Sequence, residues 1–424
     1  MARVGRHVLV DVSPLRRSRD LRCLMVGQLL STLGAQLTMV AVAYQVYALT
    51  RSSLAVGLVS LAQVLPLIAG ALLGGSLADA ADRRRVLLVA QLLTLLCSAG
   101  LAVNADTGPV LWPLFALPAV AAGFTAATES GLSAILPNLV PRGEVATVNA
   151  MFQALFQIGQ VAGPAVAGLL LAGAGVRFVY WMDVASIAAA ALATFLISPQ
   201  PPQGGASHPP GLRSIVTGLS YLRGRPVIQG AYLFDINAMV FGMPRAVFPA
   251  LATTVFGGGA STLGFLYAAP GAGALFGAVT TGWVHRVRRQ GRAVIIAVLV
   301  WGAAITCFGL VRWLPAALML LAVAGWADVI SAVFRSTILQ LNVPDALRGR
   351  LMGVQMAVVT GGPRIGDAES GAVAAAFSPV TSVISGGLAC IGGALLLARL
   401  LPAFRRQEIA APDDAQPAPA AEAA

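Results

Sequence analysis

The residues of this chain best able to do chemistry are ionisable groups stranded in apolar sequence. Asp235, Arg245, Asp328, Arg335, Arg364, Asp367, Glu369 and Glu129 all fall within apolar runs long enough to cross a bilayer. A charge at mid-membrane costs about 2.5–3.5 kcal/mol on insertion scales, so each needs a partner or a purpose. Proton coupling is one such purpose, because it requires a carboxylate that desolvation holds near neutrality and that faces each side in turn. Asp235 is the first candidate, Asp328 the second, and Asp367 and Glu129 complete the set. The competing reading is a fixed ion pair with a neighbouring Arg, which keeps the carboxylate ionised and unable to carry a proton. For Arg364 and Asp367, three apart on one helix face, the fixed pair is the favoured reading. Glu129, toward a helix end, also has the simpler option of reaching cytoplasmic water.

Uncharged polar residues in the same runs are candidates for hydrogen bonding a cargo. Gln28, Thr32 and Gln36 are spaced by four and share a helix face, and Gln153, Gln157 and Asn237 stand in later runs. Helix-to-helix hydrogen bonding explains them equally well. Arg245 is a charged member of the cargo set, and Trp326 offers a stacking surface where packing is the ordinary alternative.

These groups must be held by membrane helices. Of 424 residues, 57% are hydrophobic and 11% charged, against about 45–50% and 25% in soluble chains. Runs of about 20 apolar residues recur twelve times, predicting an all-α membrane protein of twelve transmembrane helices in two parallel six-helix repeats. A Pro, Gly and Ser stretch from Ser198 to Gly211 separates six runs from six. The expected organisation is a six-helix bundle over 1–198, a cytoplasmic linker with a short amphipathic helix over 199–226, a second bundle over 227–404 and a disordered tail over 405–424. At an offset of 203 residues, Gly70, Gly74, Arg83, Pro141, Gly159, Gly163 and Gly168 align with Gly273, Gly277, Arg286, Pro344, Gly362, Gly366 and Gly371. Parallel repeats of this kind build carriers that rock about a mid-membrane site.

The net charge of +11 sorts by side. With the N-terminus inside, 22 arginines fall in cytoplasmic segments, 3 on the opposite side and 3 within spans, placing both termini in the cytoplasm of a bacterial inner membrane. The basic balance therefore reads as topology and attraction to anionic lipid, with no nucleic-acid partner expected. All 28 basic residues are Arg, so a P-loop and a Schiff-base lysine are both excluded. Cys23, Cys97, Cys307 and Cys390 have no metal spacing, and His7, His208 and His285 form no metal-binding pair. Neither an enzyme nor a bound cofactor is expected; the proton gradient is the anticipated energy source.

Two motifs refine the reading. Between the second and third runs stands Gly75-Ser-Leu-Ala-Asp79-Ala-Ala-Asp82-Arg83-Arg84-Arg85. It resembles the loop signature of the major facilitator superfamily, in which Gly permits a close helix approach and Asp latches a cytoplasmic gate. Gly75, Asp79, Arg83 and Arg84 are the gate candidates; Asp82 stands where the family usually has Gly, and the bland reading is that the arginines only fix topology. The second motif, Gly159-Gln-Val-Ala-Gly163-Pro164 with Gly168 beyond, resembles the antiporter signature of the same superfamily. It marks Gly159, Gly163, Pro164 and Gly168 as a hinge, with tight helix packing as the alternative.

The wider sequence, including Val247-Phe248-Pro249-Ala250-Leu251-Ala252, Leu263-Gly264-Phe265-Leu266-Tyr267-Ala268-Ala269-Pro270 and Pro344-Asp345-Ala346-Leu347-Arg348-Gly349-Arg350, resembles the enterobactin exporter family from about Ser13 to Arg399. That resemblance implies proton-driven efflux, a siderophore as the first cargo to consider, and a cavity lined by helices 1, 4, 7 and 10. The expected protein is a monomeric secondary transporter that exports a small amphiphilic molecule by alternating access. Multidrug or other metabolite efflux is the alternative, and a transport-inactive membrane sensor or lipid scramblase is the alternative of another class.

Overall fold

The computed structural model describes residues 13–201 and 220–408. The expected amphipathic helix of the linker, up to residue 219, and most of the expected tail lie outside the described residues. Among the described residues every regular element is helical. The first half holds α1 (Ser13–Arg17), α2 (Arg19–Thr50), α3 (Ser53–Ala62), α4 (Val64–Ala80), α5 (Arg83–Thr107), α6 (Pro113–Leu139) and α7 (Val145–Phe195). The second half holds α8 (Pro226–Phe241), α9 (Phe248–Thr254), α10 (Ala260–Thr280), α11 (Gln290–Leu310), α12 (Leu314–Asn342), α13 (Asp345–Ala376), α14 (Pro379–Leu400) and α15 (Pro402–Arg405).

Local chemistry sets the boundaries. Ser18 caps α2 by accepting the Leu21 N–H, and Ser52 caps α3 by accepting the Ala55 N–H. Between them Arg51 takes a left-handed conformation, φ 54°, with its N–H returned to the Tyr47 carbonyl. Such a hairpin leaves few backbone groups unpaired where lipid offers no partner. Proline opens α6, α8 and α14 near their first positions, where its missing N–H costs nothing.

By length and composition, eight helices among the described residues are able to cross a membrane. One of them, α7, has 51 residues and contains a non-helical residue, Gly175 at φ 82° and ψ 174°. At 1.5 Å per residue it measures about 75 Å, more than twice a hydrocarbon core of about 30 Å. It therefore makes two passes that turn at Gly175, the residue type for which positive φ is free of strain.

The first half packs through α2 on α7, α4 on α6, and α5 on both α6 and α7; the second repeats the plan with α10 on α12, α12 on α11 and α11 on α14. The halves meet through α3 against α13 and α7 against α10. Both seams are built on glycine. A Cβ at Gly57 would strike the Asp367 and Ala368 backbone, one at Gly371 the Ser53 and Leu54 backbone, and one at Gly168 the backbone of Gly264 and Ala260. At the end that carries the arginine-rich loops, the ion pairs Arg17–Glu144 and Arg289–Glu408 each stay within one half.

Candidate functional site

A break between α8 and α9 organises the centre of the molecule. Helical geometry stops at Gly242, Pro244 supplies no N–H, and a 3-10 turn over Arg245–Val247 precedes α9. The freed Gly242 carbonyl accepts the Trp301 indole N–H at 2.9 Å, and the Arg245 carbonyl accepts the Tyr267 hydroxyl at 3.1 Å. Irregular backbone at membrane depth is tolerated where it lines a cavity. Such a cavity is present, about 180 Å³, bounded by Gln36, Gln157, Gln160 and Pro164 from the first half and by Arg245, Tyr267, Trp301 and Asp328 among others from the second. Gln36 and Gln160 hydrogen-bond each other through their amides. The Asp328 Oδ1 is buried and accepts no hydrogen bond.

The leading proton candidate sits elsewhere. Asp235 Oδ1 lies 2.7 Å from Arg335 Nη2, with both side chains almost fully buried at 1% and 5% exposed. Gln355 donates to the other carboxylate oxygen at 3.2 Å, and Arg335 also donates to the Ser331 hydroxyl at 2.7 Å. The pair ties α8, α12 and α13 together. This is a closed ion pair of the kind expected as the alternative to a proton carrier, and among the described residues Asp235 does not line the cavity.

The expected bonded pair of Arg364 and Asp367 is not formed within 4.0 Å among the described residues. Arg364 donates instead to the Thr360 carbonyl of its own helix at 2.6 Å. Asp367 remains in electrostatic contact with Arg245 and Arg364 and faces the Ser60 hydroxyl across the seam between the halves. Arg364 is in turn the cation nearest in effect to Glu129. Charges of the second half thus meet polar groups of the first along the α3–α13 seam.

Other candidate residues separate by role. Of the polar cargo set, Gln36, Gln157 and Arg245 line the cavity. Gln28 donates to Thr32 at 3.4 Å along α2. Asn237 donates to the Cys390 carbonyl at 2.8 Å and so clamps α8 to α14, and Trp326 donates to Thr280 at 3.4 Å. Gly159 and Gly163 let α7 approach Thr32 and Gln36 of α2, whereas Gly168 meets α10 of the other half. In the loop motif, the Asp82 carboxylate accepts the Arg84 and Gln200 N–H groups, Arg83 donates to the Ala78 carbonyl and Arg84 to the Phe195 carbonyl. A Cβ at Gly75 would meet nothing within 4 Å. These contacts stay inside the first half; the Asp79 side chain lies outside what the structure describes.

One buried carboxylate escaped the sequence reading. Asp183 in α7 is 1% exposed and accepts hydrogen bonds from Thr38 of α2 and Ser98 of α5, each at 2.7 Å. The signal was available, since a lone Asp in an apolar run is itself unusual.

The architecture matches known transporters. The model of the transmembrane secretion effector family matches residues 10–423. The chain belongs to this family. It is 30% identical over 401 residues to the enterobactin exporter EntS of Escherichia coli O1:K1 / APEC, covering 94% of this chain and 95% of that one, and equally to EntS of Shigella boydii serotype 18. Among solved structures, the nucleoside transporter NupG superposes with a TM-score of 0.70 at 15% identity, covering 91% of this chain and 98% of that one. The POT family transporter PepTSo superposes at 0.73 with 12% identity, covering 92% and 99%. This family member is a multi-pass membrane transporter with the major facilitator fold, not an enzyme.

Proposed function

We propose that this transporter is a proton-coupled exporter of a small amphiphilic molecule, with a siderophore as the first cargo to test. It would work by alternating access as a twelve-pass monomer of the bacterial inner membrane, both termini in the cytoplasm. The observation that carries the coupling is Asp328, a carboxylate with an unpartnered oxygen that lines a cavity shared by the two halves. A carrier group must exchange its proton with whichever side the cavity opens to, and a residue on the cavity wall meets that condition where a locked ion pair does not. Similarity to EntS over nearly the whole chain supports both the direction and the cargo class. The glycine seams at the end away from the arginine loops, together with ion pairs kept within each half at the arginine end, support a conformation poised to open toward the cytoplasm. At about 180 Å³ the cavity is below the roughly 300–1,000 Å³ of drug-sized sites, so a siderophore enters only as the halves part.

The test compares metabolites inside and outside wild-type, deletion and Asp328→Asn cells grown without iron. The expected result is a chelator that accumulates inside both mutants and disappears from their medium, with Asp235→Asn less affected per folded molecule. Unchanged pools in the deletion strain would set aside siderophore export, leaving drug or other metabolite efflux to be tested by dye accumulation.

A further inference from the structure

We infer that the cargo is zwitterionic, with an acidic group read by Arg245 and a basic group read by Asp328. This inference rests on the transport reading above and adds the charge class of the molecule carried. The cavity wall holds one cation and one anion, Arg245 and Asp328. The two act on each other electrostatically, yet among the described residues neither forms an ion pair within 4.0 Å. Opposite charges in a low-dielectric setting gain by closing onto each other, as Asp235 and Arg335 do at 2.7 Å in the same half of the chain. Arg245 is anchored in a 3-10 turn whose carbonyl is held by Tyr267, while Asp328 projects from the continuous helix α12.

A separated pair flanking a cavity is complementary to a ligand carrying both charges. The facing wall adds neutral amides, Gln36, Gln157 and Gln160, which hydrogen-bond without favouring either sign. Of the other nearby charges, Arg335 is ion-paired with Asp235 and also acts on Asp328, more strongly than Arg245 does, and Arg364 is engaged with Thr360 and the field of Asp367. Asp367, which does not line the cavity, also acts electrostatically on Arg245.

The sense of coupling argues the same way. A cargo bearing only an acid would bind Arg245 best when Asp328 is protonated, so proton and cargo would travel together. An amine at Asp328 competes with the proton instead, and competition for one group is what exchange of cargo for proton requires.

The experiment uses purified full-length protein in proteoliposomes and four fluorescent probes sharing a dansyl group. They are Nε-dansyl-lysine, with free amine and carboxylate; dansylcadaverine, a cation; dansylglycine, an anion; and dansylamide, neutral. Nε-dansyl-lysine is expected to bind at least tenfold more tightly than the others. Arg245→Gln should reduce its affinity to that of dansylcadaverine, Asp328→Asn to that of dansylglycine, and Arg245→Lys should retain the preference. The wild-type series decides the matter even where Arg245→Gln fails to fold. Equal affinity across the set, no binding by any probe, preference for a singly charged probe, or a folded Arg245→Gln that keeps the zwitterion preference would each overturn the inference. The metabolite comparison in deletion cells is independent of the probes: an exported compound bearing an acid alone would sink the zwitterion and leave export standing.

Discussion

Asp235 and Arg335 stand 100 residues apart, and their pairing shows why buried charges cannot be assigned roles one at a time. Each was legible in the sequence as a costly residue in an apolar run, but the contact depends on how α8, α12 and α13 pack. Removing one partner of a buried pair exposes the other to an uncompensated cost of about 3–5 kcal/mol. Asp235→Asn is therefore expected to lower stability in detergent by several kcal/mol, and a matched Asp235→Asn, Arg335→Gln double variant to recover part of it, as read from unfolding midpoints. Full additivity of the two single variants would contradict a shared interaction. Asp183 makes a gentler prediction. Its hydroxyl partners are neutral, so Asp183→Asn, which keeps an acceptor, should cost less than Asp183→Ala by about 1 kcal/mol or more. Efflux normalised to folded protein should be similar for both, since Asp183 does not line the cavity.

Helices were more legible than the contacts between them. Apolar run length located the segments, and Ser18, Ser52 and Ser378 cap helices where their types suggest. The break between α8 and α9 was not foreseen as a break, because Gly242 and Pro244 sit inside a run that reads as continuous. Glycine spacing in α7 was visible, but spacing alone did not distinguish partners: Gly159 and Gly163 serve contacts inside the first half, and Gly168 serves the contact between halves. That division gives a prediction for the element. Gly168→Val places a side chain against the Gly264 and Ala260 backbone, so the seam must part. A thiol introduced by Ser53→Cys, buried at the parallel seam, should be alkylated faster in the Gly168→Val background than alone. An unchanged rate would mean that the two seams open independently.

At the scale of the whole molecule, the repeat recognised from a 203-residue offset corresponds to two halves with the same packing plan. The placement of arginine predicts both termini in the cytoplasm. A periplasm-dependent phosphatase reporter fused after Gly108 or Gly175 is expected to be active, and one fused after Asp82 inactive; the reverse pattern would invert the orientation. The repeats have nonetheless diverged in chemistry. Positions 203 residues before Asp235, Asp328, Arg335 and Asp367 hold Thr32, Thr125, Leu132 and Pro164, and the first half contributes amides to the cavity where the second contributes charge. One wall can consequently drift without disturbing the other. Substitutions among Gln36, Gln157 and Gln160 would retune which molecules are accepted while leaving the power supply intact, so chimeras that graft a relative's first half onto this second half are a natural route to carriers with new cargo and an inherited engine.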